Sequence, residues 1–152
     1  RSSAHQGLRE YQAPVEYGRS EIIRKGKKIA VLGVGSMIPS CMEICKGLKD
    51  DGYDPTFVNA RFVKPLDVDL LDELAKDHSL FVTVEENVKS GGYGEHVSAY
   101  MEACHPEIRV LSAAVWDRFV PQGNVESLRS RIGLGVEDIR QAIEDSEELR
   151  EQ

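Results

Sequence analysis

From residue 28 onward, short continuous apolar runs alternate with segments whose apolar residues recur at helical spacing, and this rhythm limits the possible folds more than any other feature. Ile29, Ala30, Val31 and Leu32, ended by Gly33 and Gly35, read as a strand buried on both faces. A helix follows, with Ser36 as its cap, Pro39 in its first turn, and Ile38, Cys41, Ile44, Cys45 and Leu48 on one face until Asp50, Asp51 and Gly52 stop it. Thr56, Phe57 and Val58 make a second strand. Pro65 and Asp67 open a second helix with Val68, Leu71, Leu74 and Ala75 on its inner stripe, and Leu80 to Val84 is the strongest strand of all. Beyond the glycines at 91 to 94, the positions Val97, Tyr100, Met101 and Cys104 mark a third helix, and Val110 and Leu111 a further strand. Asn124 is placed to cap a helix carrying Val125, Leu128 and Ile132, and Val136, Ile139 and Ile143 give a last helix its apolar face.

Strands separated by helices are joined by right-handed crossovers that set them parallel. The expected fold is an α/β three-layer sandwich, a mostly parallel sheet of about five strands covered by helices. Residues 1–27, with Pro14, Gly18 and Gly26, fall outside the rhythm and read as a linker from a preceding domain, leaving residues 28–152 as the domain itself.

Composition closes off several functions. A chain of 152 residues with 41% apolar and 30% charged residues can bury its own core, and no run nears the roughly 20 apolar residues of a membrane helix. The charge balance of 19 against 26, a net of -7, argues against a general nucleic-acid or membrane-surface role. Arg1 to Glu10 carry no apolar stretch of the secretory kind, so a cytoplasmic location is expected. Three cysteines make a poor disulfide framework and read as reduced, buried thiols. Cys41 and Cys45 lie in an apolar stripe and lack the spacing of a redox pair, and His5, His78, His96 and His105 show no metal-ligand spacing.

Two loops remain as candidate sites. Gly33-Val34-Gly35-Ser36 follows the first strand and opens a helix, as a phosphate-binding turn would, but no third glycine or Gly-Lys-Ser/Thr completes the pattern. A tight strand-to-helix turn is the plainer reading; a stand-alone nucleotide-binding regulatory module is the alternative. Glu85-Glu86-Asn87 and Gly91-Gly92-Tyr93-Gly94 follow the strongest strand, and Arg61 and Lys64 leave the preceding strand at the same end. In open parallel sheets sites form at that end. The carboxylates and Arg61 are read either as a contact surface or as an ion pair bracing two loops.

Three segments, Asn59-Ala60-Arg61-Phe62-Val63-Lys64-Pro65-Leu66-Asp67, Val82-Thr83-Val84-Glu85-Glu86-Asn87 with Gly91-Gly92-Tyr93-Gly94, and Asp117-Arg118-Phe119-Val120-Pro121-Gln122-Gly123, closely resemble the carboxy-terminal domain of the 1-deoxy-D-xylulose-5-phosphate synthases. The resemblance spans residues 28–143, with Asn59 where that family usually has Asp and Gln122 where many members have His. The carboxy-terminal domain of another transketolase or of a 2-oxo acid dehydrogenase β subunit is the alternative within the same domain type. The resemblance implies a parent transferase, dependent on thiamine diphosphate and magnesium, that decarboxylates pyruvate and joins the two-carbon unit to glyceraldehyde 3-phosphate, at the head of isoprenoid, thiamine and pyridoxal synthesis. It also implies that other domains hold the cofactor, so this chain would carry no catalytic residue, no metal and no cofactor of its own, and would be inactive alone. Its partners would be those other domains and a second subunit in a homodimer. Arg61, Glu85, Glu86, Gly91, Gly92 and Gly94 would form the interdomain or dimer contact, and Arg1 falls by spacing where the family has a substrate-phosphate arginine.

Overall fold

The computed structural model describes residues 14–88, 91–115 and 135–151. Five strands, β1 (Glu21–Arg24), β2 (Lys28–Gly33), β3 (Thr56–Asn59), β4 (His78–Val88) and β5 (Arg109–Val115), form one sheet in the order β1-β3-β2-β4-β5. All neighbours are parallel except β1, which pairs antiparallel with β3. Helices α1 (Ile38–Asp50), α2 (Val68–Leu74), α3 (Tyr93–Cys104) and α4 (Val136–Glu151) cover it.

The apolar runs read as strands split by parity onto two faces, because successive side chains of a strand point to opposite sides. Ile29 and Val31 of β2 join Leu80, Val82 and Val84 of β4 in a core with the inner stripes of α1 and α4. Ala30 and Leu32 join Phe81 in a second core with α2 and α3. Helices therefore lie on both faces, which is why residues 29–32 of β2 and 80–82 of β4 read as continuous apolar runs and why the three-layer α/β expectation holds.

The segment expected as a linker gives its last residues to the domain. Glu21–Arg24 adds an edge strand, and the residues just before it are tied down: Ser20 N donates to Asp67 Oδ2 at 2.7 Å and Ser20 Oγ to the Ala60 carbonyl at 3.0 Å. Asp67 opens α2 as expected, its Oδ1 accepting from Leu70 N at 3.3 Å while Arg19 Nη1 sits 3.2 Å from the same oxygen. One short carboxylate thus anchors a helix and the lead-in to the edge strand together.

Some expected roles change. Ser36 does not cap α1; a 3₁₀ turn over Gly35–Met37 intervenes, Met37 takes the cap position, and the Ser36 hydroxyl turns elsewhere. Val68 and Cys104, expected on inner stripes, are exposed, since α2 begins with Val68 on its outer side and Cys104 closes α3. Helix α3 begins at Tyr93, four residues before its first expected marker. The Asn124 helix and the Asp117–Gly123 segment lie outside the described residues.

Candidate functional site

The carboxyl ends of β2, β3 and β4 bring the predicted residues to one end of the sheet. The loop after β2 leads to α1 on one face, and the loop after β4 leads to α3 on the other, so the two diverge above neighbouring strands, the arrangement that opens a crevice in parallel sheets. They are stitched across it: Val34 N donates to the Val84 carbonyl at 3.0 Å, and the Ser36 hydroxyl donates to Glu86.

Glu85 and Glu86 are adjacent yet face opposite fates. Glu85 continues the parity of Phe81 and Thr83, which carries its side chain inward; it is 1% exposed. Its Oε1 accepts from Tyr93 N at 2.8 Å and its Oε2 from Gly94 N at 2.5 Å. A buried carboxylate thereby satisfies two of the orphan N–H groups at the start of α3 and sits at the positive end of that helix's dipole. Burial, reinforced by the negative charges of Asp67 and Glu85, pushes the Tyr93 phenol well above its ordinary range. Glu86 is exposed and reaches Ser36. Of the pair expected on a contact surface, Glu86 is presented there and Glu85 holds the loop from beneath.

Gly94 shows why the loop is built from glycine. A Cβ at this position would lie 2.6 Å from Thr83 Oγ1 and 2.8 Å from Ser112 Oγ, two hydroxyls already joined at 3.2 Å. Only a bare backbone brings α3 close enough to the sheet for Glu85 to reach both amides. Gly92, buried at the N-cap of α3, and Gly91, exposed with φ +74°, complete the turn. Glu95 Oε2 also accepts from Gly91 N at 2.8 Å.

Arg61 lies at the same end and pairs with the edge strand β1. Its backbone is left-handed, with φ +58°, and its N–H donates to Asn59 Oδ1 at 3.1 Å. Its guanidinium meets Glu21 Oε2 at 2.5 Å and the Pro14 carbonyl at 3.2 Å. Among the described residues an ion pair runs from Arg61 to Glu21 of β1, a carboxylate that the linker reading left out of the sheet. Asn59, where the resembled family has Asp, provides the acceptor that holds Arg61 in place. Arg1 lies outside the described residues.

In the glycine turn after β2, Gly33 serves packing, while Gly35 has φ +56° and nothing within 4 Å of where its Cβ would lie. A Cβ on Gly33 would lie 2.7 Å from Cys41 Sγ and 2.9 Å from Ile38 Cδ1, so this glycine admits α1 to the strand. The N–H groups of Val34 and Met37 are both bonded within the chain. Among the described residues no three His, Cys, Asp or Glu side chains are grouped to hold a metal. Asp51, expected to stop α1, ends it beside Arg140, 3.3 Å away.

A family model described as the transketolase C-terminal domain matches residues 18–139. The 1-deoxy-D-xylulose-5-phosphate synthase of Lachnoclostridium phytofermentans is 38% identical over 140 residues, covering 91% of this chain and 22% of that protein. That of Dictyoglomus thermophilum is 39% identical, covering 90% and 22%. This chain therefore spans between a fifth and a quarter of these relatives' length. Among solved structures, a split-gene transketolase described as an inactive β4 tetramer is 29% identical, with a TM-score of 0.80 over 88% of this chain and 43% of its own. A Campylobacter jejuni transketolase shares the fold at 16% identity, with a TM-score of 0.59 over 84% of this chain and 18% of its own. The start of the family match at residue 18 agrees with the anchoring of Arg19 and Ser20 to Asp67, and by that match the chain belongs to the transketolase C-terminal domain family.

Proposed function

We propose that this chain is the carboxy-terminal domain of a 1-deoxy-D-xylulose-5-phosphate synthase, a transferase that joins pyruvate and glyceraldehyde 3-phosphate, and that its task there is to support the catalytic domains. The observation that carries the reading is one of proportion: the match covers about nine-tenths of this chain and just over a fifth of the relatives, 91% against 22% in the first case. Most of the machinery implied by the relatives' name is then encoded outside these residues.

Thiamine diphosphate and magnesium would be held by those other domains. The resemblance implies a Gly-Asp-Gly metal-diphosphate motif in those domains; here Asp51 and Gly52 close a helix, and the Asp51 carboxylate faces Arg140. Isolated from its neighbours the domain would be catalytically silent, and Arg1 would bind no substrate phosphate.

The contact with neighbouring domains, and through them the homodimer, would be made at the carboxyl end of the sheet. Glu86 and Gly91 would form its exposed rim, with Gly92 and Gly94 buried beneath it, while Arg61 fixes the adjacent turn and Glu85 sets the height of the glycine loop. The assembly of the split-gene transketolase as a tetramer is consistent with domains of this kind meeting other chains. A Glu86→Lys variant of the full-length enzyme tests the surface. The expected result is weaker assembly at low protein concentration and lower turnover, with an unchanged KM for pyruvate; unchanged assembly and turnover would refute it. A Ser36→Ala variant, which removes only the hydroxyl donor to Glu86, should leave assembly intact.

A further inference from the structure

On the face that carries α1 and α4, the two helices pack side by side, with Arg140 of α4 against Gly47 of α1. Beyond α1, toward the β1 edge, no helix among the described residues covers the sheet, and a groove of about 450 Å³ opens between α1 and strands β1 and β3. That volume falls in the roughly 300–1,000 Å³ range of small-molecule sites. Its floor is apolar: Ile23 of β1, Phe57 of β3, and Met42 and Cys45 of α1. Cys45 is 6% exposed, and burial pushes its thiol up to about 12, so it stays a neutral wall.

The rim is cationic. Arg24 is fixed there by Asp54 and the Pro55 carbonyl, each 2.6 Å away. Lys46 and Lys49, one turn apart on α1, are exposed and form no salt bridge among the described residues. None of the seven lining residues is acidic, in a chain whose net charge is -7. An apolar floor rewards a hydrocarbon body, and Lys46 and Lys49, exposed beside an Arg24 whose charge Asp54 shares, reward an anionic head.

We propose that this groove binds a single-chain amphiphile with an anionic head, a carboxylate or a phosphate monoester, its chain on Ile23, Met42 and Phe57 and its head between Arg24, Lys46 and Lys49. The site lies on a different face from the proposed interdomain contact and does not depend on it.

Calorimetric titration with decyl phosphate, decanoate, decanol and inorganic phosphate, below their aggregation concentrations, tests this. One anionic amphiphile should bind per chain, decanol at least ~10-fold more weakly, and inorganic phosphate not at all. The double variant Lys46→Glu/Lys49→Glu, which alters only exposed side chains, should weaken binding at least ~10-fold while the protein stays folded, its melting midpoint falling by only a few degrees because Lys49 lies in the last turn of α1. In NMR, the methyl signals of Ile23 and Met42 should shift on titration. Preference for decyl phosphate or for decanoate assigns the head as phosphate or carboxylate. The proposal is overturned if neither anion saturates, if decanol binds as well, if the double variant binds normally, or if the methyl shifts fall elsewhere. Binding by this chain but not by the longer polypeptide would also overturn it, since a neighbouring domain would then fill the groove.

Discussion

Glu85→Ala isolates the feature on which the loop geometry rests. The substitution removes the acceptor for Tyr93 N and Gly94 N, both bonded to a side chain that is 1% exposed. Hydrogen bonds to a charged group contribute about 1.5–3 kcal/mol each, and buried donors left without partners cost about 1–3 kcal/mol. These figures describe the same two bonds and overlap, so a loss of roughly 3–5 kcal/mol is expected, a large part of the ~5–15 kcal/mol that stabilises a domain. For a chain of this size each kcal/mol lowers the melting temperature by about 2–4 °C, so the midpoint should fall by roughly 10 °C. Thermal unfolding followed by circular dichroism measures this, and hydrogen exchange should show faster exchange at the Tyr93 and Gly94 amides. Glu86→Ala is the internal control: it is exposed, and should stay within about 1 kcal/mol of the parent. Equal effects at the two positions, or a midpoint for Glu85→Ala within ~2 °C of the parent, would show that the carboxylate does not hold the helix start.

Gly94→Ala places a Cβ 2.6 Å from Thr83 Oγ1 and should cost about 1–3 kcal/mol in urea unfolding. Alkylation with iodoacetamide at pH 8, followed by peptide mapping, should modify exposed Cys104 and leave Cys45 untouched, since burial raises that thiol to about 12. Asp72 accepts from His105, 2.7 Å away, and from Tyr100 at 2.8 Å, and these bonds hold its carboxyl below the ordinary aspartate range. A lowered folded value means that its stabilising effect is present above the unfolded value and lost as pH falls through the folded one. NMR titration should therefore give Asp72 an acid-shifted midpoint, and Asp72→Asn should remove that part of the acid sensitivity.

The layers were legible in the sequence because β2 and β4 are continuous apolar runs, which only a sheet covered on both faces requires. Edge strand β1 was not. Glu-Ile-Ile-Arg offers two apolar residues among charged neighbours, and its partner lies on one side alone, so pairing to β3 decides its conformation more than composition does. Burial of Glu85 left a usable signal, the alternation Phe81, Thr83, Glu85 on one side of β4, which places the carboxylate on the α3 face. The partner of Arg61 could not be read without β1. Glycines at 91, 92 and 94 read as a flexible loop, yet Gly94 lies inside a helix whose close approach to the sheet needs it.

The most direct measurement is a turnover assay of this polypeptide alone, given pyruvate, glyceraldehyde 3-phosphate, thiamine diphosphate and magnesium, beside the full-length enzyme under the same conditions. A supporting domain should release no carbon dioxide above background while the complete protein turns over. Product formed by the isolated domain would contradict the account, because a catalytic centre would then have to exist within these residues.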